Sequence, residues 1–115
     1  MLAFFAFPLL TGASSAHAQT EPVYIKSGFL TGNSYRASSA QEKSGFVMGF
    51  IDGLLVAPLL GAPRSKLVRL EECLTGMVNS QVVAIVDKWL TENPGRWHQQ
   101  MNVLTFSALQ AACEK

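Results

Sequence analysis

The chain has 115 residues, of which 49% are hydrophobic and 15% charged, and its formal net charge at pH 7 is +1. This length supports one domain. The near-neutral charge excludes a typical nucleic-acid partner, because proteins that bind phosphate backbones usually carry a clustered basic excess. The low charged fraction is also compatible with a membrane protein, so the position of the apolar residues decides between a membrane protein and a globular one.

The first twenty residues have the composition of an export signal. Residues 2–10 read LAFFAFPLL, and the tripeptide AHA at residues 16–18 fits a cleavage site, although no basic residue precedes the apolar run. This pattern is typical of a secretory signal peptide, and the run is too short to cross a bilayer as a helix. We predict cleavage after Ala18, export to the periplasm and no stable membrane insertion afterwards; a buried N-terminal helix is the alternative.

Cys73 and Cys113 are the only cysteines. In an exported chain an even number favours a disulfide, and two cysteines without a histidine cluster make a poor zinc site. We expect a Cys73–Cys113 bridge, which closes a loop of about 41 residues and contributes roughly 4 kcal/mol to stability. Two free buried thiols are the alternative, and His98 is expected at the surface.

Residues 19–26 are polar and predict a loosely ordered lead-in, which leaves 27–115 for one helical domain. The first strong helix is predicted from Ser39 to Val56. It begins with Ser39 and Glu42 in a capping box. Six apolar residues repeat with the helical period and form its core face: Phe46, Val47, Phe50, Ile51, Leu54 and Leu55.

Three glycines on this helix, Gly45, Gly49 and Gly53, form a second stripe at four-residue spacing. Each costs about 1 kcal/mol inside a helix, so the stripe needs an explanation. We expect tight packing of another helix of the same chain against it, and the alternative is a groove that admits a partner. The same helix carries Asp52, which we expect to be a buried carboxylate with a hydrogen-bonding or cationic partner; a catalytic or ligand-binding role is the alternative.

Residues 58–72 follow as a predicted exposed linker, opened by Pro58, Gly61 and Pro63. Exposed loops often carry function. We predict that its charged side chains contact a partner: Arg64, Lys66, Arg69, Glu71 and Glu72.

Two further helices are predicted from Thr75 to Glu92 and from Gln100 to Ala112. The first has a helical apolar stripe and a Thr75 cap, while Val103, Phe106, Leu109 and Cys113 mark the inner face of the second. The predicted bridge would join these last two helices as a stapled hairpin. The fold class is therefore an all-α bundle of about four helices.

Catalytic signatures are missing from the sequence: it contains no phosphate loop, dinucleotide fingerprint, nucleophile elbow or zinc-protease motif. We therefore predict a binding protein that is not an enzyme and needs no cofactor or metal.

Four segments resemble the Rap/Tai family of immunity proteins. They are an aromatic residue and Gly-Asn turn at 29–35, a glycine-rich helix at 45–53, a Cys with a Thr-capped helix at 73–94, and a last helix ending in Cys at 103–113. The resemblance implies a small periplasmic helical protein that neutralises peptidoglycan amidase toxins of type VI secretion. Its implied partner is such a toxin.

The chain departs from the family at two positions. Family members often carry two further cysteines, near the short first helix and before the glycine-rich helix, where this chain has Ala37, Ser38 and Ser44. The resemblance therefore implies a first helix less firmly tied to the second. Other hypotheses are a general periplasmic stress or chaperone-like protein without a toxin partner, and a homodimer.

Overall fold

The computed structural model describes residues 21–114 and the isolated residues 3, 6 and 8, so the predicted signal peptide lies outside the continuous described region. Five α-helices form in it: α1 (Gly32–Arg36), α2 (Ala40–Leu55), α3 (Val68–Leu74), α4 (Asn79–Glu92) and α5 (Met101–Cys113). Short 3-10 turns occupy Ala57–Leu60, Arg64–Lys66 and Pro94–Arg96. No strand forms within residues 21–114, which confirms the all-α class.

The beginning of α2 agrees with the sequence prediction. Ser39 caps the helix: its Oγ accepts a hydrogen bond from the Glu42 N–H at 3.2 Å, and the Glu42 carboxylate accepts one from the Ser39 N–H at 3.3 Å. Two orphan donors of the first turn are thus satisfied by the capping box. On the core face, Val47 is fully buried, whereas Leu55 remains 41% exposed.

Helix α3 corrects the last part of the exposed linker predicted at residues 58–72, because residues 68–72 are helical. Leu67, Leu70 and Leu74 follow helical spacing and are buried, so the amphipathic period outweighs the high local charge. Thr75 does not cap a following helix. It ends α3, with its Oγ1 donating to the Glu71 carbonyl at 2.6 Å, and α4 begins only at Asn79.

The core lies where α2, α3, α4 and α5 meet. Helix α4 contributes Val82, Val86 and Leu90. The inner face predicted for α5 is rotated: Val103 and Phe106 are 51% and 38% exposed. Leu109 is buried as predicted, and four other residues of α5 are buried with it: Met101, Leu104, Thr105 and Ala108.

The Cys73–Cys113 disulfide is present, and the described residues contain no free cysteine. The predicted location of the bridge is partly wrong. Because Cys73 belongs to α3, the bridge joins α3 to α5 rather than the last two helices to each other.

Helix α1 is tied to the turn between α4 and α5. The Gly32 and Asn33 N–H groups donate to the carbonyls of Gln99 and Trp97 at 3.0 and 2.9 Å. A Cβ on Gly32 would lie 2.9 Å from the Trp97 backbone, so only glycine permits this approach. Tyr35 is fully buried and makes an edge-to-face contact with Phe46 of α2. Without a second bridge, α1 is therefore held by backbone hydrogen bonds and aromatic packing. No helix among the described residues has the length and apolar character needed to cross a membrane.

Candidate partner-binding surface

The five charged residues predicted to contact a partner all lie at the surface, on two neighbouring elements. Arg64 and Lys66 belong to the second 3-10 turn, while Arg69, Glu71 and Glu72 project from α3. Because α3 is anchored by its buried leucines and by the disulfide, these side chains start from a fixed backbone. No described contact holds the five together as a network.

Two leucines next to this charged segment are almost completely exposed. Leu59 is 86% exposed and Leu60 is 89% exposed, and Val56 just before them is 50% exposed. Keeping a leucine side chain in water forgoes about 1.5–3 kcal/mol of burial energy. We call residues 57–63 the leucine turn. The predicted exposed linker includes both leucines, but sequence reasoning did not single them out. Two leucines between prolines in APLLGAP were the available signal.

The leucine turn has a restricted backbone. Pro58 lies at the start of its 3-10 helix, and Gly61 ends it in the left-handed region with φ +98°, where a larger residue would be strained. The Gly61 N–H donates to the Pro58 carbonyl at 3.1 Å, and the Ala62 N–H donates to the Ala57 carbonyl at 3.2 Å. The leucines are thus presented on a preformed turn, which reduces the entropy lost on binding.

The charged residues that directly follow the leucine turn in the sequence are positive, and the exposed carboxylates Asp52, Glu71 and Glu72 lie outside this stretch. Arg64, Lys66 and Arg69 are the only charged residues between Gly53 and Leu70. A surface that combines exposed leucines with cations attracts a partner of negative potential and offers it an apolar contact.

The glycine stripe does not pack inside the chain. Apart from the flanking residues and the backbone of α2 itself, no described atom lies within 4 Å of a Cβ placed on Gly45, Gly49 or Gly53, so the predicted intrachain helix packing is not seen among the described residues. Asp52 on the same helix is exposed, so the expectation of a buried carboxylate is also wrong. Only the apolar face of α2 packs into the core, so the glycine face of this helix remains exposed.

An open cleft of about 660 Å³ lies beside this face, between α2 and the beginning of α4. Met48 and Val83 give it apolar walls, and Ser44 accepts a hydrogen bond from the Asn79 side-chain amide at 2.7 Å. A second cleft of about 480 Å³ shares Met48 and Asn79 with it. The two clefts therefore adjoin each other along α2.

Residues 26–113 match the family model of the Rap1a immunity proteins. The chain belongs to this family. The matched region contains all five helices and both cysteines. No curated protein and no solved structure gives a match.

Membership confirms the resemblance drawn from the four sequence segments and identifies a toxin-neutralising immunity protein, whose partner is a protein. Immunity proteins of this kind are generally not enzymes. Within residues 21–114, no three His, Cys, Asp or Glu side chains come together as a metal site requires. The exposed surfaces described above are therefore candidate contacts for a toxin.

This Rap1a protein also contains one buried polar pair that sequence reasoning missed. Tyr35 Oη and Asp87 Oδ1 are buried near each other, and neither makes a hydrogen bond of good geometry. Burial raises the pKa of Tyr35 above its usual value, and the negative charge of Asp87 raises it further, because both disfavour the phenolate. A small cleft beside Asp87 is lined by the cationic side chains of Arg36 and Lys43. Tyr35 belongs to α1 and Asp87 to α4.

Proposed function

We propose that this Rap1a protein binds a peptidoglycan amidase toxin delivered by type VI secretion and occludes its active-site cleft in the periplasm. The observation that carries the proposal is the family match over residues 26–113, nearly the whole described domain. The export signal predicted at residues 1–18 supports a periplasmic site of action, where such a toxin meets its substrate. Neutralisation by occlusion requires only a rigid surface and no catalytic group.

The proposed contact surface consists of the leucine turn and the charged residues that follow it. It is rigid, strongly exposed and close to the disulfide-tied helix α3. The charged members are those predicted from the sequence: Arg64, Lys66, Arg69, Glu71 and Glu72.

Co-expression tests this function. Each type VI amidase encoded in the source genome is directed to the periplasm of a sensitive bacterium, with or without the complete chain. Survival and intact cell walls are expected for at least one amidase when the chain is present. A matched chain without residues 1–18 stays in the cytoplasm and should not protect, and mass spectrometry of the protecting form should find Gln19 at its N-terminus. Lysis by every amidase despite export of the chain contradicts the proposal.

The homodimer stays a prediction, for which the open glycine face of α2 provides the available surface. Light scattering after size exclusion at high micromolar concentration measures the mass. A dimer mass that falls to the monomer value when Gly49→Gln fills this face supports the prediction, and a monomer at all concentrations contradicts it.

A further inference from the structure

We infer that the leucine turn is the apolar anchor of the toxin interface and that it occupies an apolar pocket of the amidase whose rim carries carboxylates. This inference rests on the proposed function and identifies the chemistry of the partner's site. It commits the surface at residues 57–69 to a protein rather than to a lipid bilayer.

The anchor role follows from exposure combined with rigidity. Binding energy at protein interfaces concentrates in a few large side chains that enter well-packed pockets of the partner. Leu59 and Leu60 are the two most exposed large apolar residues in the described part of the chain. Their backbone is fixed by Pro58 and by the hydrogen bond from the Gly61 N–H. Both side chains can therefore enter a pocket with little ordering of the loop.

The acidic rim follows from charge complementarity. Arg64, Lys66 and Arg69 succeed the leucine turn without an intervening carboxylate, and the first two lie on a 3-10 turn directly after it. Rim charges steer the encounter and suppress wrong partners. A pocket that receives the leucines must therefore meet these cations at its edge, which favours Asp and Glu there.

An anionic membrane shares part of this chemistry, since basic residues beside apolar ones also bind lipid surfaces. The leucine turn is too small for that role. A single myristoyl chain gives only marginal membrane binding, and the side chains of Leu59 and Leu60 together contain fewer carbons. A pocket on a folded protein can bury the same two side chains completely, which gives a larger hydrophobic contribution to binding.

The test measures binding of the amidase that the complete chain neutralises, with the exported protein and its signal removed. Leu59→Ser/Leu60→Ser should weaken binding by at least about 30-fold, mainly through faster dissociation. The matched control Val23→Ser/Val103→Ser removes two half-exposed valines elsewhere and should change affinity less than about threefold. The melting temperature of Leu59→Ser/Leu60→Ser should equal that of the parent chain, because both side chains are almost completely exposed.

Charge-reversal variants test the acidic rim separately from the leucine anchor. Arg64→Glu/Lys66→Glu should slow association and reduce its salt dependence, whereas Lys26→Glu/Lys88→Glu makes the same change in net charge at distant exposed positions and should leave the salt dependence of association unchanged. Loss of the difference between these two pairs contradicts an acidic rim.

The outcomes distinguish this inference from the proposed function. If the parent chain binds an amidase and Leu59→Ser/Leu60→Ser binds it equally well, the inference is wrong and the proposed function stands. If the parent chain binds no amidase, both are wrong. The same variants are tested on vesicles with about one third phosphatidylglycerol. Binding of the parent chain to these vesicles that depends on Leu59 and Leu60 assigns the surface to the membrane and overturns the inference.

Discussion

Replacing both bridge cysteines, Cys73→Ser and Cys113→Ser, should lower the free energy of unfolding by roughly 4 kcal/mol. The two residues are separated by 40 positions, and releasing a loop of that length returns about 13 cal/mol/K of entropy to the unfolded chain. Both side chains are only half-buried, so replacement of sulfur by oxygen should add little packing cost. A loss of this size is a large share of the 5–15 kcal/mol typical of a domain.

Urea unfolding followed by far-UV circular dichroism measures this loss. The parent chain kept in a reductant is the matched control, and it should unfold at the urea midpoint of the double variant. Because the bridge ties α3 to α5, hydrogen exchange should show that the amides of Val68–Leu74 lose protection before those of α4. A stability loss below about 1 kcal/mol refutes the entropic reasoning, and equal loss of protection in α3 and α4 refutes the special role given to α3.

Three further predictions concern the core, a cap and pH. Leu104→Ala should cost about 2–5 kcal/mol because its side chain is fully buried, whereas Val103→Ala beside it should stay within about 0.5 kcal/mol; similar losses in urea unfolding would mean that the face of α5 is misassigned. Ser39→Ala should cost about 1 kcal/mol through loss of the cap, and an unchanged thermal midpoint contradicts this. The pKa of Tyr35 is raised in the folded state. The stability that its neutral phenol contributes is therefore complete below about pH 10 and is lost as the pH rises further. The free energy of unfolding of Tyr35→Phe, measured in urea, should therefore fall less at alkaline pH than that of the parent chain. Identical alkaline profiles contradict the raised pKa of Tyr35.

Local signals made much of the fold predictable. The capping box of Ser39 and Glu42 and the uninterrupted apolar period located α2 to within one residue at each end. Helix α3 was not predicted, because the five charged side chains in residues 58–72 favoured an exposed loop. The helical spacing of Leu67, Leu70 and Leu74 was the signal that would have indicated it. The bridge pairing followed from the cysteine count, but its position in the bundle depended on α3.

The candidate surface was predictable only in part. Exposure of the charged residues followed from their chemistry, whereas exposure of Leu59 and Leu60 depends on how the turn after α2 directs them away from the core. The exposure of the glycine face could not be derived either. Glycine spacing shows that another helix could pack closely there, but it does not show whether one does. Tertiary packing decides both questions, and one sequence does not encode it in a local pattern.

The attachment of α1 has a consequence for the order of folding. The Asn102 side-chain amide donates to the Ser27 carbonyl across 75 residues, and the Met101 N–H donates to the Leu30 carbonyl. The first described helix therefore has no docking site until the residues at the start of α5 have been synthesised. Contacts of such long sequence separation form late, since their loop must be closed first. In a nascent chain, residues 27–36 thus stay undocked until residues 97–102, which supply their hydrogen-bond partners, have been synthesised.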